Sequence, residues 1–415
     1  MEMNQAPKLT FSRQMRRTGV RLGNSVVTKG KQNIIIIAAL IILILIFGAL
    51  NGNFLNEYNI VSMAQSLAPY AVMGLGVTFV IATGGIDLSI GTVCIASAVV
   101  AGKMYTSELI PLWATIPIMI LIGTLFGLIN GLLVAKLKLP PFIATLGTMM
   151  IARGLSAIIV KDPNIFYPSG TWFNRTFSNL NGFPIGLVWV IGLAIICMYL
   201  MYKCKIGRYI LAIGSNEEAT RLSGVNTDKF KIIAYVIGGM AAGMAAIFWA
   251  ASFTTVASAT GNGMELDAIA GVYIGGTSAA GGIASITGSV IGAMMLVVIR
   301  SGLNFVLAGF NVTVNATYVT YVLTGVIVVL AVLMDIIKTK NAAKVRIETE
   351  AQKFKRTAKD HLAELQNEMD ILTAKNNPAT AAEKAQQIAD LQKRIADYKV
   401  SWKAEYQKLK AAPKK

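Results

Sequence analysis

Uninterrupted apolar runs, long enough to cross a lipid bilayer, constrain this chain more than any other feature. One run covers Ile34–Leu50, and comparable runs recur through the first four fifths of the 415 residues. A membrane-spanning helix needs about 20 apolar residues, and about 17 at the short end. Only 14% of the residues are charged, against about 25% in soluble domains. The runs therefore predict an all-α polytopic membrane protein.

The basic residues predict which side of the membrane each loop faces. Lys and Arg cluster in residues 1–33 and after the apolar runs that end at Ala135, Tyr202 and Met334. Because cytoplasmic loops carry an excess of Lys and Arg, about ten transmembrane helices are expected, with the N- and C-termini cytoplasmic. The net charge of +17 is explained in this way, and no RNP, zinc or helix-turn-helix pattern indicates nucleic-acid binding.

The pattern divides the chain into three parts. A basic cytoplasmic N-terminus covers residues 1–33, a transmembrane domain covers 34–340, and a charged tail covers 341–415. The tail has apolar positions at helical spacing on both sides of a break, which predicts a cytoplasmic helical hairpin or coiled coil. It could be a solvated appendage or an arm that docks a partner.

Two glycine-broken regions interrupt the apolar runs. The first is TGGIDLSIG, Thr83–Gly91, and the second is GNGMELDAIAGVYIGGTSAAGG, Gly261–Gly282. Irregular backbone at membrane depth is stable only where protein or water surrounds it. Paired breaks of this kind are typical of transporters built from two related halves. Close helix packing through small residues is the alternative explanation for these glycines.

The polar side chains in these regions allow two interpretations. Asp87 is suited to cap the helix that follows the first break, or it lines a solute path. Arg153 and Arg300 interrupt apolar runs and need partners, and Asp87 is a possible counterion for Arg153. The expected solute path is formed by Asp87, Ser89, Asn130, Arg153, Thr277 and Asn304.

No catalytic residue and no metal site is expected. The three cysteines have no paired spacing, and the only histidine, His361, lies in the tail. The chain also has no Gly-x-x-x-x-Gly-Lys-Ser/Thr loop, so it is not expected to hold ATP phosphates by itself.

A short helix is predicted in the cytoplasmic segment between two of the apolar runs. Asn216 is a suitable N-cap, Glu217 and Glu218 occupy the first turn, and Gly224 ends the helix. Taken alone, a capped helix of this length is consistent with an ordinary loop.

Together, these motifs resemble the permease subunits of bacterial ABC importers for monosaccharides of the ribose/galactose/xylose type. The resemblance extends across about residues 34–337, and the motifs occur in family order. The matching stretches are TGGIDLSIG, LPPFIATLGTMMIARG, GRYILAIGSNEEATRLSGVN, GMELDAIAGVYIGGTSAAGG and GSVIGAMM.

The resemblance implies a sugar-transport subunit of the inner membrane and not an enzyme. It implies a homodimer, a separate ABC-type ATPase that binds ATP and Mg, and an extracytoplasmic sugar-binding protein. It implies that residues 214–226 form the coupling helix that contacts the ATPase. The expected contact residues are Gly214, Asn216, Glu217, Glu218, Ala219, Arg221 and Gly224.

Three other functions remain open from the sequence alone. An ion-driven secondary transporter could use Asp87, Asp267 and Arg153 as its charges. An ABC permease for branched-chain amino acids is close to the leading interpretation. A membrane-anchored scaffold would depend on residues 341–415, which the family resemblance does not explain.

Overall fold

The structure, a computed structural model, consists of helices and one very short β-ribbon in the residues that it describes. These are residues 34–160, 164–309, 350–374 and 381–411, with isolated positions between 319 and 333. The helices of the longest described part are α1 Ile34–Leu50, α2 Glu57–Ala82, α3 Ile90–Thr106, α4 Thr115–Ala135, α5 Pro141–Val160, α6 Trp172–Phe177, α7 Gly186–Tyr202, α8 Lys205–Ser215, α9 Glu217–Leu222, α10 Thr227–Phe253, α11 Met264–Ile274 and α12 Ile286–Gly309. In the tail, α13 is Glu350–Ala374 and α14 is Ala381–Ala411.

Five helices in the described residues are long and apolar enough to cross a membrane, which confirms a helical membrane protein. A sixth is present if α7 and α8, bent by 65° at their junction, form one span. The five spans are Glu57–Ala82, Leu112–Ala135, Pro141–Val160, Thr227–Phe253 and Ile286–Leu307.

The expected count of ten spans is not confirmed. α1 and α3 are apolar but shorter than these spans. α11 has 11 residues, about 16 Å at 1.5 Å per residue, which is half of a hydrocarbon core of about 30 Å. The predicted tenth run, Ala316–Met334, and the basic N-terminus lie outside the described residues.

Helices α2 and α10 form the centre of the membrane part. α2 is buried along most of its length, and α10 packs against both α2 and α4. A Cβ on Gly131 of α4 would lie 2.9 Å from the Cα of Ile232, and one on Gly127 would lie 3.0 Å from the Cα of Gly239. The backbones of α4 and α10 can therefore approach closely only because these positions are glycine, as in many membrane helix pairs.

A small structured cap covers the C-terminal end of α10. Strand β1, Ile165–Phe166, pairs antiparallel with β2, Thr255–Val256. Beside them, the rings of Tyr167 and Phe173 stack at 5.9 Å, and Tyr167 donates a hydrogen bond to the carbonyl of Ala98. These contacts tie the loop before α6 to the loop after α10.

Contacts divide the chain into a unit of residues 22–340 and a second unit that contains the tail. Within the tail, α13 and α14 bury Leu365, Leu391 and Ile395 between them. The rings of His361 and Tyr398 meet at 4.8 Å, and burial raises the pKa of Tyr398 above its ordinary value. The apolar positions at helical spacing account for this packing.

Candidate functional site

The first glycine break is a buried turn that joins α2 to α3. α2 ends at Ala82, Gly84 has a left-handed φ of +82°, and α3 begins at Ile90. Asp87 is 1% exposed, and its Oδ1 accepts hydrogen bonds from the amide of Ser89 at 2.9 Å and from the Ser89 hydroxyl at 2.6 Å. Asp87 thus stabilises the turn that precedes the new helix.

A chain of buried hydrogen bonds connects this turn to α4 and α5. The Nδ2 of Asn130 donates to the Ser89 hydroxyl at 2.8 Å, and the Thr148 hydroxyl donates to the Oδ1 of Asn130 at 2.6 Å. The amide of Leu88 donates to the Thr145 hydroxyl at 3.2 Å. Ser89 and Asn130 were both expected to line the solute path. They contact each other inside a hydrogen-bond network that holds helices together.

The second glycine break joins α11 to α12. Gly276, Gly281 and Gly282 have positive φ angles of 89°, 82° and 76°. The hydroxyl of Thr277 accepts a hydrogen bond from the amide of Ser285 at 3.1 Å, and Thr277 is 1% exposed. The structure thus places Thr277 inside the turn, where it satisfies a backbone donor.

The two breaks contact each other and the end of α8. The amide of Gly282 donates to the carbonyl of Ala82 at 3.0 Å. A Cβ on Gly281 would lie 2.8 Å from the amide nitrogen of Gly84 and 3.0 Å from the Cα of Gly214, and one on Gly214 would overlap the carbonyl of Ala82. Gly84, Gly214 and Gly281 are called the three-glycine junction below. A displacement of α8 must change the contacts of both breaks, because interiors are close-packed.

The short cytoplasmic helix predicted from the sequence is confirmed as α9, Glu217–Leu222. The side chain of Asn216 accepts a hydrogen bond from the amide of Ala219 at 2.9 Å, which is an N-cap. Gly224 follows the helix with a left-handed φ of +83°, the conformation that glycine adopts after a helix end.

Ion pairs hold α9 and the α4–α5 loop against α10. Lys231 of α10 pairs with Glu217 at 2.6 Å, and Lys138 pairs with Asp228 at 2.6 Å. These contacts give α9 a defined position relative to a central helix of the membrane part.

The outer face of α9 is exposed and carries both charge and apolar surface. Glu218 forms an ion pair with Arg221, and the carboxylate raises the pKa of the Arg221 guanidinium above its ordinary value. Leu222 is 81% exposed. An exposed, rigid helix with these groups is suited to dock in a groove of another protein.

From the sequence, Asp87 is one possible counterion of Arg153, and the structure does not place the two side chains in an ion pair. Asp87 is bonded to Ser89, and no ion pair joins it to Arg153 among the described residues. The buried Nε of Arg153 has no hydrogen-bond partner among the described residues. Asp87 lies in a turn in which its Oδ1 accepts two hydrogen bonds from Ser89.

Arg300 obtains two partners from other helices. Its guanidinium donates to the Tyr70 hydroxyl of α2 at 2.6 Å and pairs with Asp267 of α11. Its central carbon lies 5.3 Å from the centre of the Tyr70 ring, within the range of cation–π attraction. Asn304, one turn further along α12, is exposed.

Sequence reasoning missed two of these partners. Tyr70 lies within an apolar run, and no local pattern distinguishes it from a residue of the helix core. Lys231 is not distinguished by its sequence position either, since a basic residue near the start of a span is ordinary. Only the fold shows that these side chains reach Arg300 and Glu217.

Comparisons with known proteins give the following matches. Residues 59–332 match a family model described as branched-chain amino acid transport system / permease component. The chain is 37% identical over 305 residues to the ribose import permease protein of Escherichia coli (strain K12), which is 72% of this chain and 91% of the relative. No solved structure matches the chain.

Other relatives are similar to the chain over the same extent. The fructose import permease protein of Bifidobacterium longum (strain NCC 2705) is 34% identical over 317 residues, which is 73% of this chain and 91% of the relative. The D-allose transport system permease protein of Escherichia coli (strain K12) is 32% identical over 297 residues, which is 71% of this chain and 89% of the relative. The family match ends before the tail.

Proposed function

The chain belongs to the permease family described as branched-chain amino acid transport system / permease component, and we propose how such a permease transports a sugar. It is a sugar import permease subunit of an ABC transporter, a multi-pass protein of the inner membrane and not an enzyme. ATP hydrolysis belongs to a separate ATPase, and a binding protein supplies the substrate. The relatives carry ribose, fructose or allose in their names, so these three sugars form the three-sugar panel used in the tests below.

The observation that carries the coupling mechanism is the exposed, anchored helix α9. Lys231 fixes the inner side of α9 to α10 through Glu217, while Glu218, Arg221 and Leu222 face outward. We propose that this outer face docks in the ATPase, so that movement of the ATPase is passed to α10. In this proposal the ATPase holds ATP and Mg.

The three-glycine junction offers a second route from α9 into the membrane. Gly214 lies two residues before Asn216, the N-cap of α9, and touches both glycine breaks. A tilt of α9 would therefore move α8 and shift the breaks together. Large conformational changes of transporters take this form, with packed elements switching between discrete arrangements.

The remaining assignments are proposals about assembly. We place α9 and both termini in the cytoplasm, because basic residues cluster beside these segments. The permease is proposed to act as a homodimer in lipid, with its solute path near the dimer axis. The tail is proposed to be a cytoplasmic helical hairpin, supported by the packing of α13 against α14.

The two alternative functions differ from the proposed one in energy source or in substrate. An ion-driven carrier would need titratable groups on its path, yet Asp87 is engaged in a turn and Arg300 in an ion pair. An amino acid permease is not favoured by the relatives, which are sugar permeases.

ATP-dependent uptake is the test of the proposed function. The full chain is copurified with its ATPase, reconstituted in liposomes, and given the binding protein loaded with each sugar of the three-sugar panel. The expected result is uptake of one or more labelled sugars that requires ATP and persists after ionophores collapse all ion gradients. Uptake that needs an ion gradient and ignores ATP would establish the secondary transporter instead.

A further inference from the structure

A cavity of about 320 Å³ lies between α2, α10 and α12. Its volume falls within the about 300 to 1,000 Å³ that is typical of small-molecule sites. It is lined near the C-terminal end of α10 by Trp249 and Phe253. Trp249 lies 21 residues after Asp228, about 32 Å along the helix, so the cavity and α9 are at opposite ends of α10.

One wall of the cavity is aromatic. The rings of Tyr70 and Trp249 meet edge to face at 6.2 Å, and those of Trp249 and Phe253 are tilted at 4.3 Å. These rings are rigid, flat and apolar, and their hydrogen-bonding groups are confined to the edge. A ring-shaped ligand with an apolar C–H face can stack on such a surface.

Uncharged polar side chains also line the cavity, beside the apolar Met63, Val297 and Phe305. Ser62, Ser66 and Asn304 line it, and Ser62 and Asn304 are exposed. Hydroxyl and amide groups can both donate and accept hydrogen bonds. These side chains therefore match a ligand whose hydroxyls also donate and accept.

The charged groups at the cavity further restrict the class of ligand that it can bind. Among the described residues that line the cavity, Arg300 is the only cation, and its guanidinium is paired with Asp267. An anionic sugar phosphate would need an uncompensated cation, and a zwitterionic amino acid would need a separate charge of each sign. A neutral polyhydroxylated ligand needs neither.

We propose that the cavity between Tyr70, Trp249, Arg300 and Asn304 holds a neutral monosaccharide during its passage through the permease. This inference rests on the proposed function and adds the part of the chain that touches the sugar. Of the six residues expected on the path from the sequence, Asn304 alone lines this cavity. The aromatic wall contacts the C–H face of the sugar, while Asn304 and the serines bind its hydroxyls.

The test replaces Asn304, because its exposed side chain makes substitution compatible with folding. Asn304→Leu removes the amide and fills part of the cavity, whereas Asn304→Gln keeps the amide. Asn53→Leu is the matched control, since Asn53 is an exposed asparagine outside the cavity lining. Each full-length variant is assembled with the ATPase and binding protein, and both uptake and ATP hydrolysis are measured for the sugar that the wild type imports.

The expected result separates sugar passage from assembly. Asn304→Leu lowers uptake at least tenfold but leaves the ATP hydrolysis stimulated by the loaded binding protein within twofold of wild type. Asn304→Gln recovers part of the uptake, and Asn53→Leu behaves as wild type.

Three outcomes would overturn the inference. Wild-type uptake by Asn304→Leu would leave the cavity to another occupant, such as a lipid chain, while the proposed function stands. A parallel loss of uptake and of ATP hydrolysis in Asn304→Leu would assign Asn304 a structural role. Absence of ATP-driven sugar uptake by the wild type would instead overturn the proposed function, and the cavity's role with it.

Discussion

Asn130 is the residue through which three helices share one buried hydrogen-bond network. It donates to Ser89 before α3 and accepts from Thr148 of α5, and its own side chain is 0% exposed. A buried polar group that loses its partner incurs the full cost of its desolvation. At the residue scale, Asn130 is therefore a stability determinant of the first glycine break.

We predict that Asn130→Ala lowers the free energy of unfolding by about 1 to 3 kcal/mol, because it removes two buried hydrogen bonds, one donated to Ser89 and one accepted from Thr148. The measurement is the midpoint of thermal unfolding in detergent. Thr106→Ala, which removes an exposed local hydrogen bond, is the control and should change the midpoint little. An unchanged midpoint for Asn130→Ala would show that the network contributes nothing.

The ion pair between Arg300 and Asp267 makes a second prediction at this scale. Arg300→Met leaves the Asp267 carboxylate, 3% exposed, without its cation, and the expected loss is about 3 to 5 kcal/mol of unfolding free energy. Removing both charges with Asp267→Leu and Arg300→Met should cost clearly less than the sum of the single changes. Additive losses in this double-mutant cycle would contradict a direct pairing.

At the scale of elements, the three-glycine junction links the two broken regions to the coupling segment. We predict that Gly214→Ala lowers uptake at least tenfold, since its Cβ would overlap the carbonyl of Ala82, while the ATPase still copurifies. Gly192→Ala of α7 is the matched control, because a Cβ there has no neighbour within 4 Å. Normal uptake by Gly214→Ala would show that α8 and the breaks can separate freely.

The elements also show how far the sequence alone predicts the fold. α9 and the glycine breaks were predicted, because N-cap residues and glycines act on their immediate neighbours. The contact of Gly281 with Gly84 and Gly214 was not, since it joins segments that are far apart in the chain. The partners of Arg300 were missed for the same reason: a local pattern shows that a buried charge needs a partner but not which helix supplies it.

Helix length also determines how many of the apolar runs can cross the membrane. The apolar run that contains α11 was expected to cross the membrane, but glycines end the helix after 11 residues. Hydropathy measures composition, whereas a span also needs about 20 residues of continuous helix. α11 therefore acts as a half-length helix that carries Glu265 and Asp267 to buried positions.

On the scale of the whole molecule, the tail is separate from the part that the relatives share. The family match covers residues 59–332, and contacts place residues 341–415 in another unit. We predict that a chain ending at Lys340 retains at least half of the ATP-driven uptake, measured in liposomes at equal permease density. Loss of uptake in a truncated chain that still copurifies with the ATPase would assign the tail a role in the transport cycle.

We propose that a separate ATPase docked on α9 drives this permease. The measurement that tests it most directly is affinity purification of the full-length chain from its native membrane, with copurifying P-loop ATPases identified and quantified by mass spectrometry. Glu218→Arg reverses the charge of an exposed α9 residue, and Glu57→Arg makes the same change at an exposed position of α2. An ATPase is expected with the wild type and with Glu57→Arg, and about tenfold less with Glu218→Arg, a change of about 1.4 kcal/mol in binding. Equal recovery with Glu218→Arg would contradict docking on α9, and no ATPase with any form would contradict the ABC importer itself.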